Sequence, residues 1–283
     1  MWSTATRKQK HESWRRYRRY SELASGIPKS GPLLTKYNNE PVTHPLMSRI
    51  FAIGGGEIGK GETEVIDRHI CESVAPTTPN ALFIPTASGD ADGYCDSFDA
   101  LYCDSLGCET RHLTLHDEQT QREEIREDLM WADLLYVGGG SLPLLMRRWR
   151  EVELEPLLDE SYRNGTVIAG LSAGAMCWFT SGLTDASENA KYTLQNCLGW
   201  IDSIAFTPHA TTDRRTAFRD QLQRRGEAGI AVEDCCAIEF TEDKYQILSA
   251  SGQESVYNFR QVDGELQQFQ LTEGEYENIE RLV

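Results

Sequence analysis

From residue 48 onward, short apolar runs alternate with longer stretches in which apolar positions recur at helical spacing. That alternation is the pattern of a parallel β-sheet covered by helices. Runs at 49–53, 81–84, 110–114, 133–137 and 166–169 predict strands, and the stretches 63–74, 94–106, 118–130, 142–149 and 154–163 predict the helices between them. After residue 230 the texture changes. Short runs at 237–240, 245–249, 255–259 and 266–271, with turn residues such as Asp263-Gly264, predict a C-terminal antiparallel edge. The expected fold is therefore α/β, a mostly parallel sheet flanked by helices. We expect a single domain over residues 47–283, with no internal repeat, and a chain of this length buries about three quarters of its unfolded surface without disulfide staples.

Small or hydroxylated residues follow strand after strand: Gly54-Gly55-Gly56, Pro85-Thr86-Ala87-Ser88, Gly138-Gly139-Gly140-Ser141 and Gly170-Leu171-Ser172-Ala173-Gly174-Ala175. In an open α/β sheet the C-terminal ends of the strands line the ligand crevice, so these segments converge on one site.

Charge divides the chain in two. The net charge is −16, yet residues 1–46 hold nine Lys or Arg against three acids, leaving 19 basic against 41 acidic side chains in the remainder. A body so acidic repels nucleic acid and anionic membrane, which argues against either as partner. The basic arm, with Arg15-Arg16 and Arg18-Arg19, is either a docking tail for an acidic partner or a disordered leader without a role. The second reading is preferred, and translation from Met47 is a further alternative. No apolar run approaches the roughly 20 residues that span a bilayer, and the N-terminus lacks a signal-peptide core, so a soluble, cytoplasmic protein is expected. Eight cysteines form no CxxC pair and no zinc spacing, which suggests small buried hydrophobes in a reducing compartment. No His, Asp or Glu cluster has metal-ligand spacing, and Gly54-Gly55-Gly56-Glu57-Ile58-Gly59 is not a dinucleotide fingerprint, so neither metal nor cofactor is expected.

Gly170–Gly174 fits G-x-S-x-G between a strand and a helix, the context of a nucleophile elbow. The bland alternative is a glycine-rich turn ending on a cap serine. Serine needs a base within hydrogen-bond reach. Among six histidines, His209 ends the apolar segment 204–206 on Thr207-Pro208, where a strand would deliver it to the crevice edge. The base in turn needs an acid. Asp185, then Glu188, lie in the predicted loop between nucleophile and base, with Asp202 and Asp213 as weaker candidates. The N–H of Ala173 and the amides of the triple glycine are candidate oxyanion donors. Arg214, Arg215 and Arg219, just after His209, are candidate readers of a substrate carboxylate, most of all Arg215.

Tyr136-Val137-Gly138-Gly139-Gly140, Gly170-Leu171-Ser172-Ala173-Gly174-Ala175 and Pro208-His209, in this order, resemble the peptidase S51 family, which contains α-aspartyl dipeptidase (peptidase E) and cyanophycinase. The likeness runs from about residue 48 to 250. It implies a fold similar to class I glutamine amidotransferases, a Ser172 nucleophile, a His209 base and oxyanion donors from Gly139 and Gly140 with Ala173. It also implies a third triad member in the loop after the nucleophile, where Asp185 is the better match. Relatives resembling peptidase E carry asparagine after the triple glycine, where this chain has Ser141, so that substrate contact departs from the pattern. The expected activity is hydrolysis of a peptide or isopeptide bond beside an aspartyl residue by a serine dipeptidase acting on small peptides, with a homodimer as a possible assembly. The alternatives are a cyanophycinase-like hydrolase of β-aspartyl-arginine polymer, and a noncatalytic small-molecule or peptide-binding module. A glutaminase-type amidotransferase would need cysteine where Ser172 stands.

Overall fold

Four of the five apolar runs become strands buried on both faces, as parallel strands between helical layers must be, while the run near 110–114 becomes a partly exposed strand at the sheet edge. The computed structural model describes residues 49–116, 120–185 and 192–283; the basic arm lies outside them. The first five strands are β1 (Arg49–Ile53), β2 (Asn80–Ile84), β3 (Glu109–His112), β4 (Leu134–Val137) and β5 (Val167–Leu171). All run parallel, in the order β1-β5-β4-β2-β3. Every residue of β4 and β5 is buried. Helices α1 (Glu64–Glu72), α2 (Asp92–Asp99), α3 (Arg122–Trp131), α4 (Leu142–Glu151) and α5 (Glu155–Arg163) lie between the strands in the chain. α2 continues into a π-helical segment, Ala100–Ser105. Phe83, Phe98 and Tyr102 stack in series between sheet and helix, with centroid separations of 4.6 and 4.3 Å.

Beyond β5 the chain forms α6 (Ala173–Met176), β6 (Phe179–Asp185), β7 (Tyr192–Asn196), β8 (Ile201–Thr207), α7 (Thr212–Arg225) and β9 (Ala228–Val232). β10 (Cys236–Thr241), β11 (Lys244–Ser249), β12 (Val256–Val262), β13 (Glu265–Leu271) and β14 (Glu277–Asn278) follow. β10 pairs antiparallel with the free edge of β1, and β11 and β14 extend it, so the larger sheet reads β14-β11-β10-β1-β5-β4-β2-β3. Of the four runs expected in the antiparallel edge, those at 237–240 and 245–249 lie there as β10 and β11, whereas those at 255–259 and 266–271 become β12 and β13 of a second sheet.

A second, six-stranded sheet, β13-β12-β9-β8-β6-β7, is the departure from the expected single sheet. Only β6, β8 and β9 are parallel neighbours in it, so "mostly parallel" describes the five-stranded block β1-β5-β4-β2-β3 rather than the whole. The pattern hid β6, β7 and β9 because they are short or rich in Thr, Ser and Gly. Ser181, fully buried inside β6, has its hydroxyl bonded to Glu227 at 3.0 Å. α7 covers this sheet through Phe218 and Leu222, which pack with Leu183, Leu194 and Phe259. Among the described residues no helix is long and apolar enough to cross a membrane.

Candidate functional site

Ser172 follows β5 directly and adopts φ 55°, ψ −111°, a conformation that costs a non-glycine residue energy and persists only where its surroundings enforce it. The flanking glycines make the turn sterically possible. A Cβ on Gly170 would lie 2.1 Å from the Gly174 carbonyl oxygen, and one on Gly174 would lie 2.1 Å from that of Val137. The Ser172 N–H donates to Ile53 O at 3.0 Å, tying the elbow to the neighbouring strand β1. α6 begins at Ala173 and is a single turn, so its dipole is shorter than the elbow motif suggests.

His209 comes off the end of β8, also at positive φ (50°). Its Nε2 lies 2.9 Å from Ser172 Oγ, and its Nδ1 lies 2.5 Å from Asp234 Oδ1. Asp234 sits in the turn between β9 and β10. Sequence alone does not reveal it, because β9 carries no clear strand pattern and without that strand the turn at Glu233-Asp234-Cys235 is invisible. The available signal was an acid placed between two short apolar runs just before the strand that pairs with β1.

Gly54-Gly55-Gly56 forms the floor under this pair. Gly54 O accepts from the His209 N–H (3.0 Å), Gly55 O accepts from the Cys235 N–H (2.9 Å), and the Gly54 N–H donates to Cys236 O (2.9 Å). A Cβ on Gly55 would lie 2.0 Å from Asp234 Oδ1 and 2.5 Å from the His209 ring. The segment is therefore a contact surface for imidazole and carboxylate.

The other candidates are placed as follows. Asp185 ends strand β6 instead of lying in a loop, is 80% exposed, and meets Arg214 Nη1 at 3.4 Å rather than His209. Glu188 lies outside the described residues. Gly139 abuts the elbow, where its Cβ would be 3.4 Å from Ser172 Cβ, but its N–H donates to Tyr94 Oη at 3.0 Å. Gly140, at φ 139°, presses on Ala87, whose carbonyl would lie 2.2 Å from an added Cβ. The Ser141 hydroxyl caps α4 by accepting from the Leu144 N–H at 3.3 Å. Arg214 donates to Thr207 Oγ1 (2.9 Å) and Leu183 O (2.7 Å). Arg215 donates to Ala210 O, meets Glu233 at 3.3 Å, and stacks 4.0 Å above Tyr257. Arg219 lies 5.9 Å from the Phe259 ring centre. The guanidinium groups of Arg214 and Arg215 are thus held by the protein itself.

A hydroxyl, an imidazole and a carboxylate joined in series can pass a proton from the hydroxyl to the ring while the carboxylate holds the ring's orientation. The relay is solvent-accessible: the His209 side chain is 42% exposed and that of Asp234 59%. Deeper in the larger core, Asp67 of α1 is fully buried and accepts from Thr63 Oγ1 (2.7 Å) and Tyr102 Oη (2.8 Å). Burial pushes its carboxyl up to about 6, against the partial opposition of those two hydrogen bonds.

The sequence pattern of Peptidase family S51 matches residues 50–248. The chain is 31% identical over 230 residues to the uncharacterized peptidase YgaJ of Bacillus subtilis (strain 168), covering 80% of this chain and 97% of that one. Among solved structures, a peptidase from an acI-B1 Actinobacterium superposes with a TM-score of 0.60 at 22% identity, covering 82% of this chain and 97% of its own. A candidate peptidase E protein from Listeria monocytogenes EGD-e gives 0.55 at 18% identity, covering 72% and 98%.

Proposed function

Because the chain belongs to peptidase family S51, we propose that it is a serine peptidase working through an acyl-enzyme, with Ser172 as nucleophile, His209 as general base and Asp234 as the acid that orients His209. The observation that carries this reading is the 2.9 Å contact between Ser172 Oγ and His209 Nε2 at a serine held in a strained elbow. Ser172 Oγ attacks the scissile carbonyl while its proton passes to His209 Nε2. The new oxyanion forms beside the Ala173 N–H and the Gly139-Gly140 loop. When the intermediate collapses, the C–N bond breaks and His209 returns the proton to the leaving amine. Water, deprotonated by the same imidazole, then cleaves the acyl ester and restores Ser172.

The preferred substrate class is a small peptide or isopeptide with an aspartyl residue at the cleaved bond, and family membership supports that choice. The arginines do not add to it, since Arg214 and Arg215 are engaged within the protein.

The test is an assay of the purified protein against Asp-X and Asn-X dipeptides, β-aspartyl dipeptides and cyanophycin, with Ser172→Ala alongside. The variant should lose turnover by about 10⁴- to 10⁶-fold while keeping its fold. Residual activity above a few per cent would remove Ser172 from the mechanism.

A further inference from the structure

The glycine loop after β4 abuts the nucleophile, a Cβ on Gly139 lying 3.4 Å from Ser172 Cβ, and its central amide is already committed. The single hydrogen of the Gly139 N–H points at Tyr94 Oη, 3.0 Å away, so it cannot also make a well-aligned bond to an oxyanion. The phenol has a hydrogen of its own. Among the described residues neither a side chain nor a carbonyl accepts it. The ring cannot swing freely. It meets Phe83 edge-on with centroids 4.9 Å apart, and its Cε1 lies 2.9 Å from where a Gly138 Cβ would be. The hydroxyl is therefore presented from α2 in a fixed place at the end of β4, beside the loop that abuts Ser172.

We propose that Tyr94 is an oxyanion donor: its phenol takes up the Gly139 amide and offers its own O–H to the oxygen that becomes negative when Ser172 attacks. The inference rests on the serine-peptidase reading above. Two physical arguments support the exchange of donors. A hydroxyl that accepts one hydrogen bond donates a stronger second one, because the two polarise each other. Burial also raises the Tyr94 phenol above its ordinary range, so it stays protonated and able to donate across neutral pH. The arrangement moves the donor 3.0 Å outward from the amide nitrogen, along the direction in which that amide points.

Tyr94→Phe keeps the ring and its packing, removes the O–H and frees the Gly139 amide. Two probes need no knowledge of the natural substrate: the rate of inactivation by a fluorophosphonate, and kcat and KM for p-nitrophenyl acetate. We expect kcat and the inactivation rate to fall about 10²- to 10³-fold, the cost of losing one oxyanion donor, with KM changed by less than about threefold. Unchanged or faster turnover would overturn the proposal and return the role to the freed amide. Should Tyr94→Phe fold poorly, a fluorinated tyrosine placed at position 94 keeps every contact but makes the phenol more acidic. The alkaline fall in kcat should then move to lower pH, and an unmoved profile would contradict donation by the phenol. Ser172→Ala run in parallel separates the two levels: if it still reacts with the fluorophosphonate at the wild-type rate, the nucleophile assignment fails whatever Tyr94 does.

Discussion

Asp234 and Asp185 are both exposed carboxylates within reach of a cation or an imidazole, and what each one touches decides its role. Asp234 Oδ1 lies 2.5 Å from His209 Nδ1 and therefore fixes which ring nitrogen faces Ser172. Asp185 makes a 3.4 Å contact to Arg214 at 80% exposure, a pair worth about 0–1 kcal/mol in water. Asp234→Asn should lower kcat/KM by between about 10² and 10⁴, the upper figure being the effect of neutralising a buried triad aspartate. Asp185→Asn should change it by less than about threefold. Equal effects from the two variants, measured on the same substrate, would remove Asp234 from the relay. The meeting of Ser172 with His209 is legible in sequence because each sits where an apolar run stops, and a strand end is a local feature of sequence. Asp234 is not, since its meeting with His209 depends on β10 pairing back onto β1 across nearly two hundred residues. The internal partners of Arg214 and Arg215 are hidden for a related reason: the spacing of these residues after His209 is visible in the chain, whereas Leu183, Thr207 and Glu233 are brought to them by the second sheet.

At the scale of elements, the loop after β1 is the part whose purpose sequence reasoning left open. Gly54-Gly55-Gly56 carries no nucleotide signature, yet its carbonyls hold the backbone of His209 and Cys235 on either side of the relay. Gly55 does not need a left-handed φ; it needs the absence of a side chain. Gly55→Ala would place a methyl group 2.0 Å from Asp234 Oδ1 and 2.5 Å from the imidazole. Both clashing groups are ends of side chains, so the backbone can stay while the relay is pushed out of line. A displacement of about 1 Å in a catalytic constellation costs on the order of 10² in rate. We expect a loss of that size in kcat/KM, with the far-UV circular dichroism spectrum unchanged. Wild-type kinetics from Gly55→Ala would show that the loop carries no such load.

Across the whole molecule the two sheets meet at the candidate site. Ser172 is delivered by the parallel block of the larger sheet, His209 by a strand of the smaller one, and Asp234 by the turn in which the chain passes from the smaller sheet to the larger. The parallel block was legible from its apolar runs, while the second sheet, with polar residues such as Ser181 in buried positions, was not. Global stability should also carry the mark of Asp67. Its carboxyl titrates near 6 in the folded protein, above the ordinary 3.8, so between these values the folded chain holds a proton that the unfolded chain releases. This group's contribution to stability therefore falls as pH rises from about 4 to 6, and it stays lost above that range. Asp67→Asn removes the titration while leaving an amide able to bond Thr63 and Tyr102. In urea unfolding, the stability of the variant relative to wild type should rise between pH 4 and pH 7 by up to about 3 kcal/mol. A difference that stays constant with pH would contradict the assignment.

The proposed chemistry turns on one covalent event, the formation of a bond to Ser172 Oγ at the junction of the two sheets. It is tested most directly by treating the full-length protein with a fluorophosphonate, digesting it, and mapping the adduct by mass spectrometry. A single adduct is expected on the peptide containing Gly170-Leu171-Ser172, lost in Ser172→Ala and formed at least about 10²-fold more slowly in His209→Ala. An adduct on any other residue, or labelling of Ser172 at an undiminished rate without His209, would contradict it.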